Sequence, residues 1–348
     1  MYGFRIFISY AHTDRVMVER LDAFLADMGL QPVWDRGLRP GRAFDDEIRR
    51  QIARAHIFMP LITPNSRESR WVHQEIGYAL GIDVPVVPVA LGSIPGEMLA
   101  PIQAICVDSE LAGLREGLER ADLESLVLTG ALHGELDRLG ITTNVAELGE
   151  DRTRTLARYA EEVRGPARVR QRAIFSSFSL PAAEPSDELW NSLDLPAPRS
   201  EYFRALLRNE RKILEKHARD HGCSLILNPF LDFATVGAGV HRSQLGVLKD
   251  FLVSMPKEKI TVAFVRGTFL GNLTLVGDWF GATALPPRSG SEYRQTIFSH
   301  HAPTVLRWMR AFEQELKANL RKAGVAHMES RDYAVDRIEA RLRDLRTA

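Results

Sequence analysis

One acidic residue, Glu75, occupies an unusual position for a carboxylate in a predicted helix. The stretch Ser69–Leu80 has helical spacing of its apolar residues. Steps of four and three residues from Glu75 reach Trp71 and Tyr78, so its carboxylate lies along the border of an apolar stripe. A carboxylate placed there costs desolvation, which favours a role in chemistry. The alternative is a half-exposed glutamate whose stem covers the edge of the core.

The other residues of this helix have predicted positions of their own. Ser69 is expected to be the N-cap, which leaves Glu75 within about two turns of the positive end of the helix. His73 precedes Glu75 by two positions and is therefore expected on the surface. Trp71 has the helical phase of a core residue, although its ring could also stack on a planar ligand.

The elements around this helix alternate between strand and helix with short connections. Predicted strands cover 4–10, 30–34, 56–62, 84–90 and 104–107, and predicted helices cover 16–28, 44–55, 69–80 and 112–127, with a polar loop at 63–68. This alternation predicts a parallel sheet covered on both faces. In such sheets ligands bind beyond the carboxyl ends of the strands, where the loops 10–14, 34–44 and 63–69 would meet the start of the Glu75 helix.

Three segments carry a resemblance to a known family. They are the strand end at 7–10 followed by Asp14, the turn-rich segment Trp34-Asp-Arg-Gly-Leu-Arg-Pro-Gly41, and the helix start Ser69–Glu75. Their order resembles a TIR domain, over about residues 4–130, in which the second segment corresponds to the BB loop. The resemblance implies a flavodoxin-like parallel sheet. It also implies that Glu75 is the catalytic glutamate of the branch that cleaves the nicotinamide–ribose bond of NAD.

If the resemblance holds, NAD is the substrate and no cofactor or metal is needed. Loss of nicotinamide leaves positive charge on the ribose, as in glycoside hydrolysis, and a carboxylate in a dry pocket stabilises that charge. Tyr10 and Trp34 are the candidate rings for stacking on a base, with Trp71 as a third. Ser9 and Ser69 are candidates for hydrogen bonds to the ribose, although for Ser69 the capping role is at least as well supported.

The predicted BB loop has two interpretations that the sequence leaves open. Its arginines, Arg39 with Arg36 and Arg42, could pair with the pyrophosphate of NAD, because guanidinium groups suit phosphate oxygens. They could equally contact a neighbouring TIR domain, because the BB loop often mediates assembly in the resembled family. We therefore expect NAD and further copies of the same chain as partners.

Composition limits the classes of function. The 348 residues suit two domains, and the 45 basic and 45 acidic residues give no general field that would attract nucleic acid. No stretch has the length of a membrane span or the pattern of a secretory leader, so a cytoplasmic protein is expected. The only cysteines, Cys106 and Cys223, lie in apolar runs and are expected to be reduced core residues.

The rest of the chain predicts a second α/β domain at 173–348, after a TIR domain at 1–130 and a charged, partly helical linker at 131–172. The basic run 164–172 is interpreted as a solvated connector. Polar residues at predicted strand ends could receive a nucleotide or protein activator: they are His241, Arg242, Asp278, Arg294, His300 and His301. The turn at 277–280 weakly resembles phospholipase-D-like regulatory domains, and catalysis there is doubtful because the His-x-Lys pair is absent.

Together these observations predict an NAD glycohydrolase regulated by a sensing or assembly domain. Resemblance to bacterial proteins of this layout implies a role in defence against phage through NAD depletion. Two alternatives remain at this stage. One is a non-catalytic TIR scaffold that recruits partners, and the other is an enzyme that makes a cyclic ADP-ribose-type signal.

Overall fold

The computed structural model describes residues 3–34, 44–93, 96–130, 143–146, 149–174, 176–180, 197–230, 238–265, 272–284 and 296–347. The chain divides into two compact units. The first comprises Met1–Thr143 and Ser299–Arg307, and the second comprises Asn144–Phe298 and Trp308–Ala348.

The first unit is built on a five-stranded parallel sheet. Its strands are β1 (Arg5–Ser9), β2 (Gln31–Val33), β3 (Ile57–Ile62), β4 (Val89–Leu91) and β5 (Ile105–Val107), in the order β2-β1-β3-β4-β5. All four pairings are parallel. The order 2-1-3-4-5 is that of flavodoxin-like folds, so the predicted fold class is confirmed. β1 and β3 are buried along their whole length because their apolar runs are covered on both faces.

Among the described residues, six helices surround this sheet. They are α1 (Arg15–Asp27), α2 (Phe44–Arg54), α3 (Pro64–Glu68), α4 (Arg70–Gly81), α5 (Leu114–Arg120) and α6 (Leu123–Gly130), with 3-10 turns at His12–Asp14 and Glu97–Leu99. The buried face of α4 packs on β3 and β1, where Phe7 and Phe58 stack at 5.9 Å between ring centroids. The helix that carries Glu75 is therefore fixed to the centre of the sheet.

Three details of the first unit differ from the prediction. The segment 63–68 is not a polar loop, because Pro64 and a capping box between Thr63 and Ser66 start the short helix α3. The predicted strand 84–90 is reduced to a bridge at Val86 and the strand β4, because prolines at 85 and 88 have no N–H to donate. The predicted helix 112–127 is interrupted at Asp122, which has a φ of 43°.

One cysteine is also placed differently from the prediction. Cys223 is buried in the second unit, as expected, whereas Cys106 is exposed. Cys106 lies on β5, the edge strand of the first sheet, and its neighbours Ile105 and Val107 are only half-buried. An edge strand is covered less completely than a central one, so an apolar run there does not guarantee burial.

The second unit is a separate α/β structure with a mixed sheet of seven strands. These are β6 (Thr143–Ala146), β7 (Val169–Ala173), β8 (Cys223–Leu227), β9 (Ile260–Phe264), β10 (Leu273–Val276), β11 (Phe280–Ala284) and β12 (Thr296–Ser299), in the order β6-β12-β11-β10-β7-β8-β9. The strands β7, β8 and β9 are parallel, while β10 is antiparallel to both β7 and β11. A second α/β domain is thus confirmed.

The helices of this part are α7 (Gly149–Glu161), α8 (Ala197–His221), α9 (Ala238–Ser254), α10 (Ala302–Ala323) and α11 (Ser330–Thr347), with 3-10 turns at Ser177–Ser179, Lys257–Lys259 and His327–Glu329. The last helix was not predicted from the sequence. Within the described ranges, no helix combines the length and apolar character that a membrane span requires.

The interpretation of residues 164–172 as a connector is wrong. This run enters β7, which lies between β8 and β10 in the second sheet. The strand alternates, with Val169 and Gln171 buried on one face and arginines on the other. The arginine face is neutralised by α10, because Arg170 pairs with Glu313 at 2.7 Å and Arg172 pairs with Glu315 at 2.9 Å.

Candidate active site

The structure places the side chains of Ser9 and Glu75 in direct contact. The Ser9 hydroxyl donates a hydrogen bond of 2.5 Å to Oε2 of Glu75. Ser9 is the last residue of β1 and is 1% exposed, and Glu75 is 7% exposed in the second turn of α4. This contact places a carboxylate at the carboxyl end of the central strands, largely removed from water, where charges are screened less than at the surface.

The start of α4 is fixed by a side-chain cap. The Ser69 hydroxyl accepts a hydrogen bond of 3.4 Å from the backbone N–H of Val72, which confirms the predicted N-cap. Helix α3 ends at the same residue, so α3 and α4 meet at Ser69 with hardly a connection between them. The position of Glu75 along the rim is therefore set by two caps, those of Thr63 and Ser69.

A second cluster joins the loops that follow β1 and β3. The carboxylate of Asp14 accepts a hydrogen bond of 2.6 Å from the Thr63 hydroxyl and one of 2.7 Å from the side-chain amide of Asn65. From the sequence, Asp14 was named as part of the loop 10–14 and of the family resemblance but without these partners, and Thr63 and Asn65 were missed. The Thr-Pro-Asn-Ser pattern at 63–66 was the available signal, because Pro at the first helical position marks a helix start.

The predicted stacking residues of the first two loops lie together. Tyr10 and Trp34 pack edge to face with ring centroids 5.9 Å apart, and both are largely buried. The indole N–H of Trp34 donates a hydrogen bond of 2.9 Å to Asp22 on α1, and the guanidinium of Arg15 lies 5.9 Å from the indole centroid. This pair forms a rigid aromatic wall at the end of β1.

Trp71 lies one turn before Glu75 on the same face of α4. It is half-buried and packs against the core of the first unit, as its helical phase predicted, so a stacking role stays a prediction. Tyr78 lies on the same side, with the Arg49 guanidinium 5.8 Å from its ring centroid. Burial raises the pKa of Tyr78, and Arg49 partly offsets that effect.

The neighbouring side of α4 lines a small cavity of about 110 Å³. Its walls are Ile62, Ser66, Arg67, Val72, His73, Ile76, Gly96, Met98 and Leu99. His73 is half-buried in this wall, which corrects the expectation that it lies on the surface. The residue is covered because the 3-10 turn Glu97–Leu99 packs over that side of the helix. Glu75 does not contribute to this cavity.

Arg39, with Arg36 and Arg42, lies outside the described residues, so its pyrophosphate or assembly role stays a prediction. Within the described ranges, no group of three or more His, Cys, Asp or Glu side chains could hold a metal ion.

Three of the polar residues predicted at strand ends of the second domain have partners within the fold. His241 is buried on α9, where its Nε2 lies 2.6 Å from the Pro229 carbonyl. Arg242 donates a hydrogen bond of 2.7 Å to the Leu345 carbonyl on α11. Nδ1 of His301 contacts the Thr304 hydroxyl at 2.8 Å. Backbone and hydroxyl groups of the fold therefore engage these side chains, and Arg294 lies outside the described residues.

Comparison with known families identifies the five-stranded unit. The model of the TIR domain family matches residues 6–122, about a third of the chain. The matched range includes β1, the start of α4 and the Ser9–Glu75 contact. Residues 6–122 therefore form a TIR domain, and the rest of the chain lies outside the match. A search of curated proteins found no match.

Solved structures of low similarity were also found. The TIR domain of the Toll-related receptor TRR-2 from Hydra magnipapillata has 18% identity and a TM-score of 0.29, covering 35% of this chain and 98% of that one. The TIR domains of the activated Roq1 resistosome have 19% identity and a TM-score of 0.25, covering 38% and 86%. The archaeal chromatin protein TrmBL2 has 13% identity and a TM-score of 0.32, covering 59% and 62%. TM-scores this low carry no argument about function.

Proposed function

We propose that the TIR domain is an NAD glycohydrolase in which Glu75 is the catalytic residue. The observation that carries the proposal is the buried Glu75 carboxylate, held by the Ser9 hydroxyl at 2.5 Å, at the carboxyl end of β1 within a TIR domain. Burial of a carboxylate costs desolvation, so a buried carboxylate at this rim favours a role in chemistry. The TIR family includes enzymes that cleave NAD, and the motif around Glu75 resembles that of the enzymatic branch.

The proposed reaction breaks the bond between nicotinamide and C1′ of the ribose. The bonding electrons pass to the pyridinium nitrogen, so nicotinamide leaves neutral without a strong general acid. The ribose acquires the charge of an oxocarbenium ion, which the Glu75 carboxylate stabilises in a site of low dielectric constant. Water then adds at C1′ and releases a proton, which gives ADP-ribose. Ser9 orients the carboxylate in this account, because its hydroxyl donates to Oε2.

The aromatic wall of Tyr10 and Trp34 is the proposed surface for a planar ring of NAD. Its edge-to-face packing and the Trp34–Asp22 hydrogen bond hold both rings in place before substrate binds. Trp71 and Ser69 are proposed to lie on the ribose side of the same site, and Arg39 is proposed to pair with the pyrophosphate or with a neighbouring TIR domain.

The regulation of the enzyme is part of the same proposal. We propose that several TIR domains assemble to complete the pocket, that the second domain senses the trigger, and that the protein acts in the cytoplasm. Assembly is then a population shift toward the active state. Its proposed purpose is NAD depletion in infected bacteria, on the basis of the resemblance to bacterial proteins of this layout.

The proposal is tested by incubating the purified full chain with NAD and measuring free nicotinamide. The protein is titrated to concentrations at which it associates, and wild type is compared with Glu75→Ala. Wild type is expected to release nicotinamide, whereas the variant should not. Chromatography of the second product separates linear ADP-ribose, which we expect, from a cyclic signal. Equal nicotinamide release by both proteins would contradict the proposal. If assembled wild type released no nicotinamide, the result would favour the non-catalytic TIR scaffold.

A further inference from the structure

A basic groove runs along α8 in the second unit. It has a volume of about 590 Å³. Its lining residues are Arg208, Asn209, Arg211, Lys212, Glu215, Lys216, Arg219 and Asp220. Five are basic and two are acidic, which leaves a surplus of three positive charges in a chain whose formal net charge is zero. Arg208, Lys212, Lys216 and Arg219 recur every three or four positions and Arg211 lies beside them, so the five basic residues form one stripe about 16 Å long on the helix.

The arginine at the floor of the groove is unusual. Arg211 is only 7% exposed, and its Nε donates a hydrogen bond of 3.3 Å to Oε2 of Glu215. Its Nη1 is also buried and has no hydrogen-bond partner in the described part of the chain. Arg211 therefore holds a positive charge beneath the groove that its hydrogen bond to Glu215 balances only in part, which favours an anion bound above it.

The remaining contacts leave positive charge directed at the groove. Glu215 is shared, because its Oε1 also accepts a hydrogen bond of 2.5 Å from Nη2 of Arg219. Lys212 and Lys216 are exposed, and neither has an acidic partner among the residues that the structure describes. The groove therefore combines a positioned guanidinium group with two exposed ammonium groups, and both kinds of cation bind phosphate oxygens.

The shape and lining select the class of ligand. A single phosphate would engage one or two of these cations, whereas the stripe presents five. The volume falls within the range of about 300–1,000 Å³ that is typical of small-molecule sites. None of the lining residues is aromatic, so the groove offers no platform on which bases could stack. We infer that this groove binds a linear oligophosphate, such as the phosphate chain of a nucleoside triphosphate.

This inference goes beyond the proposed NAD cleavage and does not rest on it. It assigns the activator site of the second domain to α8 rather than to the strand ends, where His241, Arg242 and His301 are engaged by the fold. Direct binding measurements therefore test it whether or not the TIR domain turns over NAD.

The test is calorimetric titration of the full chain with tripolyphosphate, with ATP and with a thymidine oligonucleotide, at physiological salt. Three chains are compared. One is wild type, one is the groove variant R208Q/K212Q/K216Q, and one is the control K317Q/R321Q/K322Q, which removes the same charge from exposed positions on α10. Because the groove variant loses three cations that pair with phosphate oxygens, it should bind tripolyphosphate at least about tenfold more weakly. The control should stay within about twofold of wild type.

Several results would overturn the inference. They are no tripolyphosphate binding by wild type, an equal loss of affinity in both variants, binding of ATP but not of tripolyphosphate, or tighter binding of the oligonucleotide than of either phosphate ligand.

The variant R211M tests whether Arg211 binds the ligand or only supports the fold. It should keep or raise Tm, because Glu215 retains Arg219, while it weakens tripolyphosphate binding at least about tenfold. A lower Tm with unchanged affinity would show that Arg211 only supports the fold.

Discussion

Glu75 shows how far single residues can be interpreted from sequence. The helical phase of the residue predicted a carboxylate at the edge of an apolar stripe, and the structure buries it against Ser9. The partner Ser9 was named as a candidate, but the contact itself joins residues 66 positions apart. Such a contact depends on the register between β1 and α4, which local periodicity does not contain. The same holds for Asp14 with Thr63 and Asn65.

The two cysteines are predicted to differ sharply in reactivity. Burial raises the pKa of the Cys223 thiol to about 12, and nearby Arg168 only partly opposes this effect. Cys223 therefore stays protonated and shielded at pH 8, whereas Cys106 is exposed. Titration of the folded protein with a thiol-reactive disulfide should show one fast thiol, and titration in urea should show two.

The variant Cys106→Ser provides the control for this titration. It should abolish the fast reaction of the folded protein and leave one thiol in urea. A fast reaction that persists in Cys106→Ser would mean that Cys223 is accessible, which would contradict its placement in the core of the second sheet.

At the scale of elements, prediction succeeded where periodicity and burial agree. β1, β3, α1 and the Glu75 helix have uniform apolar patterns and were placed within a few residues of their true ends. β7 was not predicted, because it alternates between apolar residues and arginines. Without the glutamates of α10 that pair with those arginines, this pattern resembles a solvated connector. The charge partners lie 143 residues away in sequence. A local sequence pattern does not indicate ion pairs between residues this far apart.

Two helical glycines should respond in opposite ways to alanine. A Cβ on Gly77 in α4 would lie 3.8 Å from the Met98 sulfur, which is an ordinary contact. Gly77→Ala should therefore raise the free energy of unfolding by about 0.5–1 kcal/mol through helix propensity. A Cβ on Gly117 in α5 would lie 2.4 Å from Cγ2 of Ile105, so Gly117→Ala should lower it by about 1–3 kcal/mol.

Urea unfolding of the two variants beside wild type measures both effects. The double variant Gly117→Ala/Ile105→Ala removes the clashing side chain and should recover part of the loss. If Gly77→Ala proved as destabilising as Gly117→Ala, the packing of Met98 over α4 would be described incorrectly.

Two arginines of α7 form ion pairs that differ in burial, so the two pairs should differ in how much they stabilise the fold. Arg152 pairs at 2.9 Å with Glu210, whose side chain is 1% exposed and also accepts a 2.7 Å hydrogen bond from the Ser177 hydroxyl. Arg152→Ala would leave that carboxylate buried beside a hydroxyl alone, which should cost about 3 kcal/mol of unfolding free energy. The neighbouring pair of Arg154 and Asp151 is about half-exposed, so Arg154→Ala should lower the free energy of unfolding far less than Arg152→Ala does.

The comparison of these two variants by urea unfolding is internally controlled, because both remove an arginine from the same helix. Equal losses would show that Glu210 has another source of stabilisation. The further variant Arg152→Ala/Glu210→Gln should recover most of the loss, because it removes the unpaired charge.

At the scale of the whole molecule, the sequence predicted two α/β units and the flavodoxin-like order of the first. The number and order of strands in the second sheet were not predicted, because the short strand β6 pairs with β12, which lies far along the chain, and because β7 was interpreted as a connector. A formal net charge of zero also concealed the basic groove on α8. Average composition indicates the class of protein, but only the three-dimensional structure shows where charged side chains cluster within each unit.

The proposed function makes the whole protein depend on one side chain in the first unit. The most direct measurement is the kcat of nicotinamide release by the assembled full chain, compared between wild type, Glu75→Gln and Glu68→Gln. Glu75→Gln preserves shape and removes the charge that stabilises the ribose cation. Glu68 is an exposed glutamate seven positions earlier, so Glu68→Gln controls for the same change in charge. The predicted result is a loss of at least about a hundredfold in kcat for Glu75→Gln with Glu68→Gln near wild type. Equal kcat values for all three proteins would contradict the account.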